Sequence, residues 1–477
     1  MQTLYLTTAE EDIAKAAEII KRGGLVAFPT ETVYGLGGNA LDPNASKAIY
    51  AAKGRPSDNP LIVHIAKAEE MEHLAQTVPE EARKLADAIW PGPLTMVLPK
   101  KPVVPDETTG GLNTVAIRCP ANEAARKLIE LAGVPIAAPS ANLSGRPSPT
   151  QREHVKHDLD GRMDALLCGD PCIGGIESTV LDLTDPAHPQ VLRPGLITPE
   201  RIAEVLGIPC TYDPAILGKP EEGLVPKAPG MKYKHYAPKA EMILFEGRPA
   251  DVRKAILQQA EELRRTGKLA ETLFYEDGEE AARKLFADLR RLDEEGADVI
   301  LAQALDGSKA SVNYSVMNRM LKAAGYHIKE VRMKIALGCD HGGYELKLAV
   351  MEHLKERGIE CIDLGCNGER VDYPVYGKAV GEAVVKGEAD LGIVCCGTGL
   401  GISMAANKVK GVRCGLCHDV TTARLTREHN DANVLALGGG FVAPFLALEM
   451  VDVFLTTPFS GEEKHQRRID QVMEIEE

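Results

Sequence analysis

Residues 334–365, KIALGCDHGGYELKLAVMEHLKERGIECIDLG, decide the architecture of the last third of the chain. An apolar run, KIALGCD, stops at a pair of glycines. A segment from Tyr344 to Arg357 then repeats its apolar residues at helical spacing, and a second apolar run, CIDLG, follows Gly358. Strand, helix, strand is the unit of a parallel sheet, because a crossover helix returns the chain to begin a parallel neighbour. The alternation continues with a helix from Tyr376 to Lys386, the strand LGIVCC, a helix from Ile402, the strands VRCGLC and VLALGG, and two closing helices. It predicts a doubly wound, Rossmann-like parallel-sheet domain over 333–477, with Met333 reading as a former initiator.

Working backwards, residues 218–239, GKPEEGLVPKAPGMKYKHYAPK, carry Pro, Gly and Lys with neither helical nor strand period and read as a linker. Between it and residue 332, the strand AEMILFE and amphipathic helices at 250–270 and 279–295 outline a small α/β domain. Residues 1–217 alternate GLVAFPT, a helix from Asn44 to Ala52, PLIVHIA, a helix from Pro79 to Ile89, LTMVLPK, TVAIR, PIAAPSA and TVLDLT, which predicts a mixed α/β domain.

The chain of 477 residues exceeds what one core holds, and 44% hydrophobic with 26% charged residues is ordinary for a globular protein. The net charge of −14 divides evenly. After Met333 stand 15 Lys and Arg against 22 Asp and Glu, a net −7, and before it 40 against 47, again −7. Neither half has the basic excess of a protein that grips nucleic acid, and 4% aromatic residues give an RNA-binding module little to stack bases on. Eleven cysteines, an odd number spread along a long chain, argue for reduced thiols. Residues 1–20 lack a basic segment followed by an apolar core, and no apolar stretch reaches bilayer length, so a cytoplasmic protein without membrane contact is expected.

In the first domain, FPTETVYGLGG places Thr30, Thr32 and Tyr34 after an apolar strand. AAKGRPSDNPLIVHI sets Lys53 and Arg55 at a helix end, then Asn59, then His64 on a strand. Two cations beside a proline-fixed turn suit a carboxylate or phosphate, arginine adding a planar fork. TVAIRCP supplies Arg118, APSANLSGRPSPT supplies Ser140, Asn142, Ser144 and Ser148, IESTV supplies Ser178 and Thr179, and VLRPG supplies Arg193. Taken singly, each reads as a strand-end cap or surface residue.

In this order, and with APGMKYKHYAP, the motifs resemble the two-domain threonylcarbamoyl-AMP synthase family from about residue 5 to about residue 330. The resemblance implies synthesis of threonylcarbamoyl-adenylate from L-threonine, bicarbonate and ATP, with pyrophosphate released and the product passed to enzymes that modify tRNA; the chain itself need not bind tRNA. Small anionic substrates and no protein nucleophile point to catalysis by positioning and charge stabilisation. The family's roles carry over as Thr32, His64, Arg118 and Ser178 facing threonine, and Lys53, Arg55, Asn59, Ser140, Asn142, Ser148 and Arg193 facing ATP. Tyr233 and His235, also expected to bind ATP, lie with Tyr236 on the segment implied to fold over the site. Magnesium is expected to come with ATP, held mostly by phosphates, as no carboxylate cluster is visible. Compared with the family, the small domain looks shortened between Tyr275 and Ala281.

In the last domain, GCDHGG puts Asp340 and His341 at the end of the first strand, and VCCGTGLGISMAANK puts Cys396 and Thr398 in a glycine loop ahead of a helix. The glycine spacing is not that of a dinucleotide loop. Cys395 reads as a core residue, and RCGLCHD, a match to haem attachment, lies at a strand end without an export signal. With VDYP, REHNDANVLALGGG and EEKHQRR, these motifs resemble the type B ribose-5-phosphate isomerase family over the whole domain. Aldose–ketose interconversion needs ring opening, proton removal beside a carbonyl and an oxyanion site, and no cofactor. The resemblance implies Cys396 as base, Thr398 with the backbone of Gly397, Gly399 and Gly401 as oxyanion site, and His429 as ring opener. Asp340 and Asn430 would hold sugar hydroxyls, and His341 and Arg468 the phosphate. Lys464 stands where the family often has arginine, which keeps charge but loses the fork. It also implies a site between two subunits, hence a homodimer through this domain. An isomerase of a six-carbon sugar phosphate remains the alternative here.

Overall fold

The computed structural model describes residues 2–216, 236–307 and 311–476. Most of the expected linker, with Tyr233 and His235, lies outside the described residues. The chain forms two compact units that divide between Glu330 and Val331, and each is taken by itself below.

The first unit contains an eleven-stranded mixed sheet and a separate four-stranded sheet. In the large sheet, Ile62–His64 runs parallel to Thr114–Arg118, which pairs antiparallel with Leu94–Pro99. That strand runs parallel to Thr179–Asp182, which pairs antiparallel with Gln190–Arg193. The register draws one row across all five: His64 opposite Arg118, Arg118 opposite Thr95, Thr95 opposite Val180, Val180 opposite Arg193. Directly opposed residues share a face of the sheet, so polar residues far apart in sequence are gathered at one place.

Helix ends complete the frame. Pro43–Lys53 starts at the Asp42 cap with proline in its first turn, and stops at Gly54, whose φ of 61° only glycine adopts freely. That left-handed residue reverses the chain between Lys53 and Arg55.

The small domain orders its strands 270–273, 299–303, 241–247 and 328–331, the first three parallel. Its helices Pro249–Arg265 and Gly278–Glu294 fall on the two expected amphipathic segments, and a third, Val312–Ala323, follows them. Residues 274–277 alone join strand Ala270–Leu273 to the helix after it. The domain is bolted to the large one: Gly175 has the backbone of Ala282 so close that a Cβ would lie 2.1 Å from its carbonyl oxygen. Arg290 enters from the small-domain helix, donates to the Pro147 carbonyl at 2.6 Å and pairs with the buried Asp158 at 2.8 Å; Arg146 shares that carboxylate.

The second unit is a five-stranded sheet, every pair parallel, in the order 360–363, 334–339, 391–396, 434–438, 414–416. The first strand in sequence sits inside the sheet with its successors on both sides, so the strand order reverses between Lys334–Cys339 and Leu391–Cys396, where such sheets open a binding crevice. One helix starts earlier than the expected Tyr376, at Tyr373, because Pro374 fits its first turn.

Removing Arg290 takes from the buried Asp158 its more deeply buried partner and leaves it the part-exposed Arg146. Arg290→Ala is therefore expected to cost the first unit about 3 kcal/mol in urea unfolding, while Arg290→Ala/Asp158→Ala recovers much of that loss.

Candidate active sites

In the first unit the register row opens into a half-enclosed cleft. Of the residues read from the sequence, Thr30, Tyr34, Lys53, Arg55, His64, Arg118, Ser140, Asn142, Ser144, Ser148, Arg193 and Tyr236 line it, joined by Arg146 and Glu177. Thr32, Asn59 and Ser178, expected to face substrate, stand behind the lining instead. Thr32 Oγ1 lies 2.9 Å from Thr30 Oγ1, and Ser178 Oγ lies 2.8 Å from Thr95 Oγ1. The Asn59 carbonyl accepts from Arg55 Nε at 3.3 Å.

Lys53 also departs from a free clamp. Its ammonium is buried and donates to the carbonyls of Ser140 and Asn142, and burial drives its pKa well below that of a free lysine, so its hydrogen bonds are spent on shaping the loop.

Arg118 pairs with Glu31 at 2.6 Å, both buried, while its Nε–H is buried with no protein acceptor. Arg193 donates to the Ser178 carbonyl at 2.9 Å and its hydroxyl at 3.1 Å. Among the described residues Arg55 donates to the carbonyl oxygens of Asn59 and Pro60 at 3.3 and 3.2 Å. Arginines hydrogen-bonded to neutral acceptors in a cleft remain able to take an anion. Burial, then the field of Arg118, lowers the His64 pKa to about 3, so this ring is neutral at physiological pH and acts as a hydrogen-bonding group.

No group of three or more His, Cys, Asp or Glu among the described residues could hold a metal ion, and both carboxylates at the cleft, Glu31 and Glu177, are taken by arginines. The donor set does not form a magnesium cage of its own.

In the second unit, Cys339 is opposite Cys395, which sets Asp340 and Cys396 side by side at the strand ends. Cys396 Sγ accepts from the Gly399 N–H at 3.1 Å, and Asp340 Oδ1 from the Gly343 N–H at 3.1 Å. The loops touch backbone to backbone: a Cβ on Gly343 would meet the Cys395 carbonyl carbon at 2.4 Å. Cys395 is core, its thiol pKa pushed up by burial. Gly401 is not in the loop; it lies in helix Leu400–Ala406, where a Cβ would strike the Tyr373 ring at 2.5 Å.

His429 and Asn430 sit elsewhere. Arg413, just before strand Cys414–Leu416, donates to the Asn430 carbonyl at 3.1 Å, which fixes these residues at the opening edge of the parallel sheet. Cys396 and Gly438 lie at the closing edge, about 15 Å away at the rise of a strand. The His429 ring lies 4.2 Å from that of His465, tilted by 35°, on the helix Glu463–Glu474 that also carries Lys464 and Arg468. A single copy thus holds two clusters rather than one.

The family model described as Telomere recombination matches residues 18–195, that of the Threonylcarbamoyl-AMP synthase C-terminal domain matches 197–325, and that of Ribose/Galactose Isomerase matches 335–472. Over 334 residues the chain is 51% identical to the threonylcarbamoyl-AMP synthase of Pyrococcus abyssi, covering 96% of that protein and 68% of this one. Over 145 residues it is 48% identical to ribose-5-phosphate isomerase B of Escherichia coli, covering 97% of that protein and 30% of this one. The chain belongs to the threonylcarbamoyl-AMP synthase family and, in its last third, to the ribose-5-phosphate isomerase B family.

The synthase unit also matches the crystal structure of P. abyssi Sua5 complexed with L-threonine, with a TM-score of 0.65 and 48% identity over 70% of this chain and 100% of that one. Sequence reading of the synthase unit missed Glu31, Glu177, Arg290 and Arg319. The two acids lie inside the quoted motifs, next to Thr32 and Ser178, and could have been marked there. In the isomerase unit it missed His465, inside EEKHQRR.

Burial lowers the pKa of His64 to about 3 and, with Arg290 adding to it, that of His154 to about 4. The unfolded chain binds both protons near pH 6.5 and the folded synthase unit does not, so stability falls as pH drops below that value, by about 1.4 kcal/mol per pH unit for each ring, until the folded pKa is reached. Urea unfolding between about pH 7 and pH 4 checks this, and His154→Gln should flatten the decline.

Proposed function

We propose that the chain carries two activities: formation of L-threonylcarbamoyl-adenylate from L-threonine, bicarbonate and ATP with release of pyrophosphate, and interconversion of ribose 5-phosphate and ribulose 5-phosphate. The observation that carries the first is the register row, which brings His64, Arg118 and Arg193 to one cleft whose two carboxylates are already neutralised. Such a cleft favours anions. Arg118, with its free Nε–H, receives the threonine carboxylate; Arg55, Arg193, Ser148 and the Ser140–Asn142 loop receive ATP, whose phosphates bring magnesium with them. Charge that moves to the leaving pyrophosphate is stabilised by guanidinium groups already in place. The adenylate is the substrate of a downstream tRNA-modifying enzyme, and no tRNA contact by this chain is required.

The isomerase works as a homodimer. Cys396, Thr398, Asp340 and His341 of one copy act with His429, Asn430, Lys464 and Arg468 of another, because one copy keeps the two groups at opposite edges of its sheet. Exposed apolar side chains beside the cysteine loop, Leu400, Met404, Val375, Phe441 and Phe445, supply a surface for a second copy. Cys396 takes the proton next to the carbonyl and returns it to the neighbouring carbon. Among the described residues no helix is long and apolar enough to cross a membrane; the substrates of both reactions are small metabolites of the cytoplasm, and that is where the reading places the chain.

Pyrophosphate release should require L-threonine, bicarbonate and ATP together, and Arg118→Met should lower kcat/KM for threonine at least about a hundredfold, the scale of a lost charged hydrogen bond. Pyrophosphate release without threonine would sink the synthase reading. Cys396→Ala and His429→Asn should each abolish isomerisation in the pure protein, yet their mixture should regain about a quarter of wild-type activity, the share of sites that random dimers rebuild. A mixture as inactive as its parents would place the whole site in one copy.

A further inference from the structure

We propose that Arg319, on the small domain, is a positioning residue of the synthase reaction: through Glu177 it fixes the Ser148 hydroxyl, and through Pro194 the strand end bearing Arg193, so the small domain sets the grip on ATP from behind the cleft wall. The inference rests on the synthase reading above.

Arg319 is fully buried in the helix Val312–Ala323. Its Nε and Nη2 donate to Glu177 Oε2 at 3.2 and 3.1 Å, and its Nη1 donates to the Pro194 carbonyl. Ser315, one turn earlier on the same face, donates to the Gly195 carbonyl at 2.8 Å. The other oxygen of Glu177 accepts from Ser148 Oγ at 2.5 Å, and both Glu177 and Ser148 line the cleft. One guanidinium therefore holds a cleft carboxylate and the backbone next to a cleft arginine. Gly195 is pressed so close that a Cβ would sit 2.4 Å from the Thr179 nitrogen, which leaves this wall little room to relax.

Stability alone does not account for the arrangement. A buried ion pair is commonly no better for stability than apolar side chains of the same volume. What apolar residues cannot do is keep Glu177 ionised beside Ser148. Arg319 and Lys322 from the small-domain helix, Arg193 from its strand and the Tyr236 hydroxyl all face that carboxylate. Burial pushes its pKa up, but Arg319 and Arg193, with the Ser148 hydrogen bond, outweigh this and hold it below the usual range. Without Arg319 the carboxyl should rise into the working pH range and, once protonated, lose its hold on the serine.

The test is pyrophosphate release by the full chain, with L-threonine and bicarbonate saturating and ATP varied from about pH 6 to about pH 9. Arg319→Met should raise the KM for ATP at least about tenfold and move the KM for threonine less than about threefold. Its kcat/KM for ATP should fall towards low pH with a titration absent from wild type; Arg319→Lys should recover part of the loss, and Arg319→Met/Glu177→Gln should lose the titration. Ser315→Ala should raise the KM for ATP by about threefold. A variant that melts earlier but keeps the wild-type KM for ATP and pH profile would overturn the proposal. If Arg319→Met does not fold, the double variant, with no lone buried charge, and Ser315→Ala decide the matter by the same KM criterion. A wild-type chain with no threonine-dependent pyrophosphate release would instead defeat the synthase reading itself.

Discussion

Positive charge gathered where little can neutralise it is the constraint on which the synthase unit depends. Lys53, Arg55, Arg118, Arg146 and Arg193 converge on one cleft with Glu177 as the single acidic residue in its lining among the described residues; Glu31 stands behind Arg118, and Asp158 behind Arg146. Guanidinium groups tolerate partial burial better than ammonium because they spread their charge and hydrogen-bond along a plane. The one lysine is accordingly the side chain most enclosed by carbonyl oxygens. Much of the surrounding structure serves this gathering: the five-strand register, the left-handed Gly54 that swings Arg55 back, and the two acids that anchor Arg118 and Ser148.

The isomerase unit meets a different constraint. Its loops approach so closely at the strand ends that side chains are excluded, which is why glycine occupies positions 342, 343, 438 and 439. Backbone N–H groups are thereby brought against the Cys396 sulfur and the Asp340 carboxylate. The synthase cleft is lined by side-chain charge, whereas main-chain N–H groups dominate around the isomerase cysteine.

Fold class and most of the lining were legible in the sequence because strand ends announce themselves: an apolar run that stops at Arg118, His64 or Cys396 places that residue at a sheet edge. What stayed hidden depended on partners far along the chain. Glu31 gains its meaning from an arginine 87 residues later, and Asp158 from one 132 residues later. No local pattern carries such information. Gly401 reads as part of the glycine loop and stands in the first turn of the helix after it, where the Tyr373 ring leaves no room for a side chain. The resemblance alone joins His429 to Cys396 across two subunits; the parallel topology adds that a strand's length separates them within one copy.

The pairing of Glu177 with Arg319 joins residues 142 positions apart, on different domains. Neither can be lost alone without leaving a buried charge unmatched. A lineage that discarded the small domain would leave the buried acid with Arg193 as its remaining guanidinium neighbour, so the acid and the small domain are expected to change together.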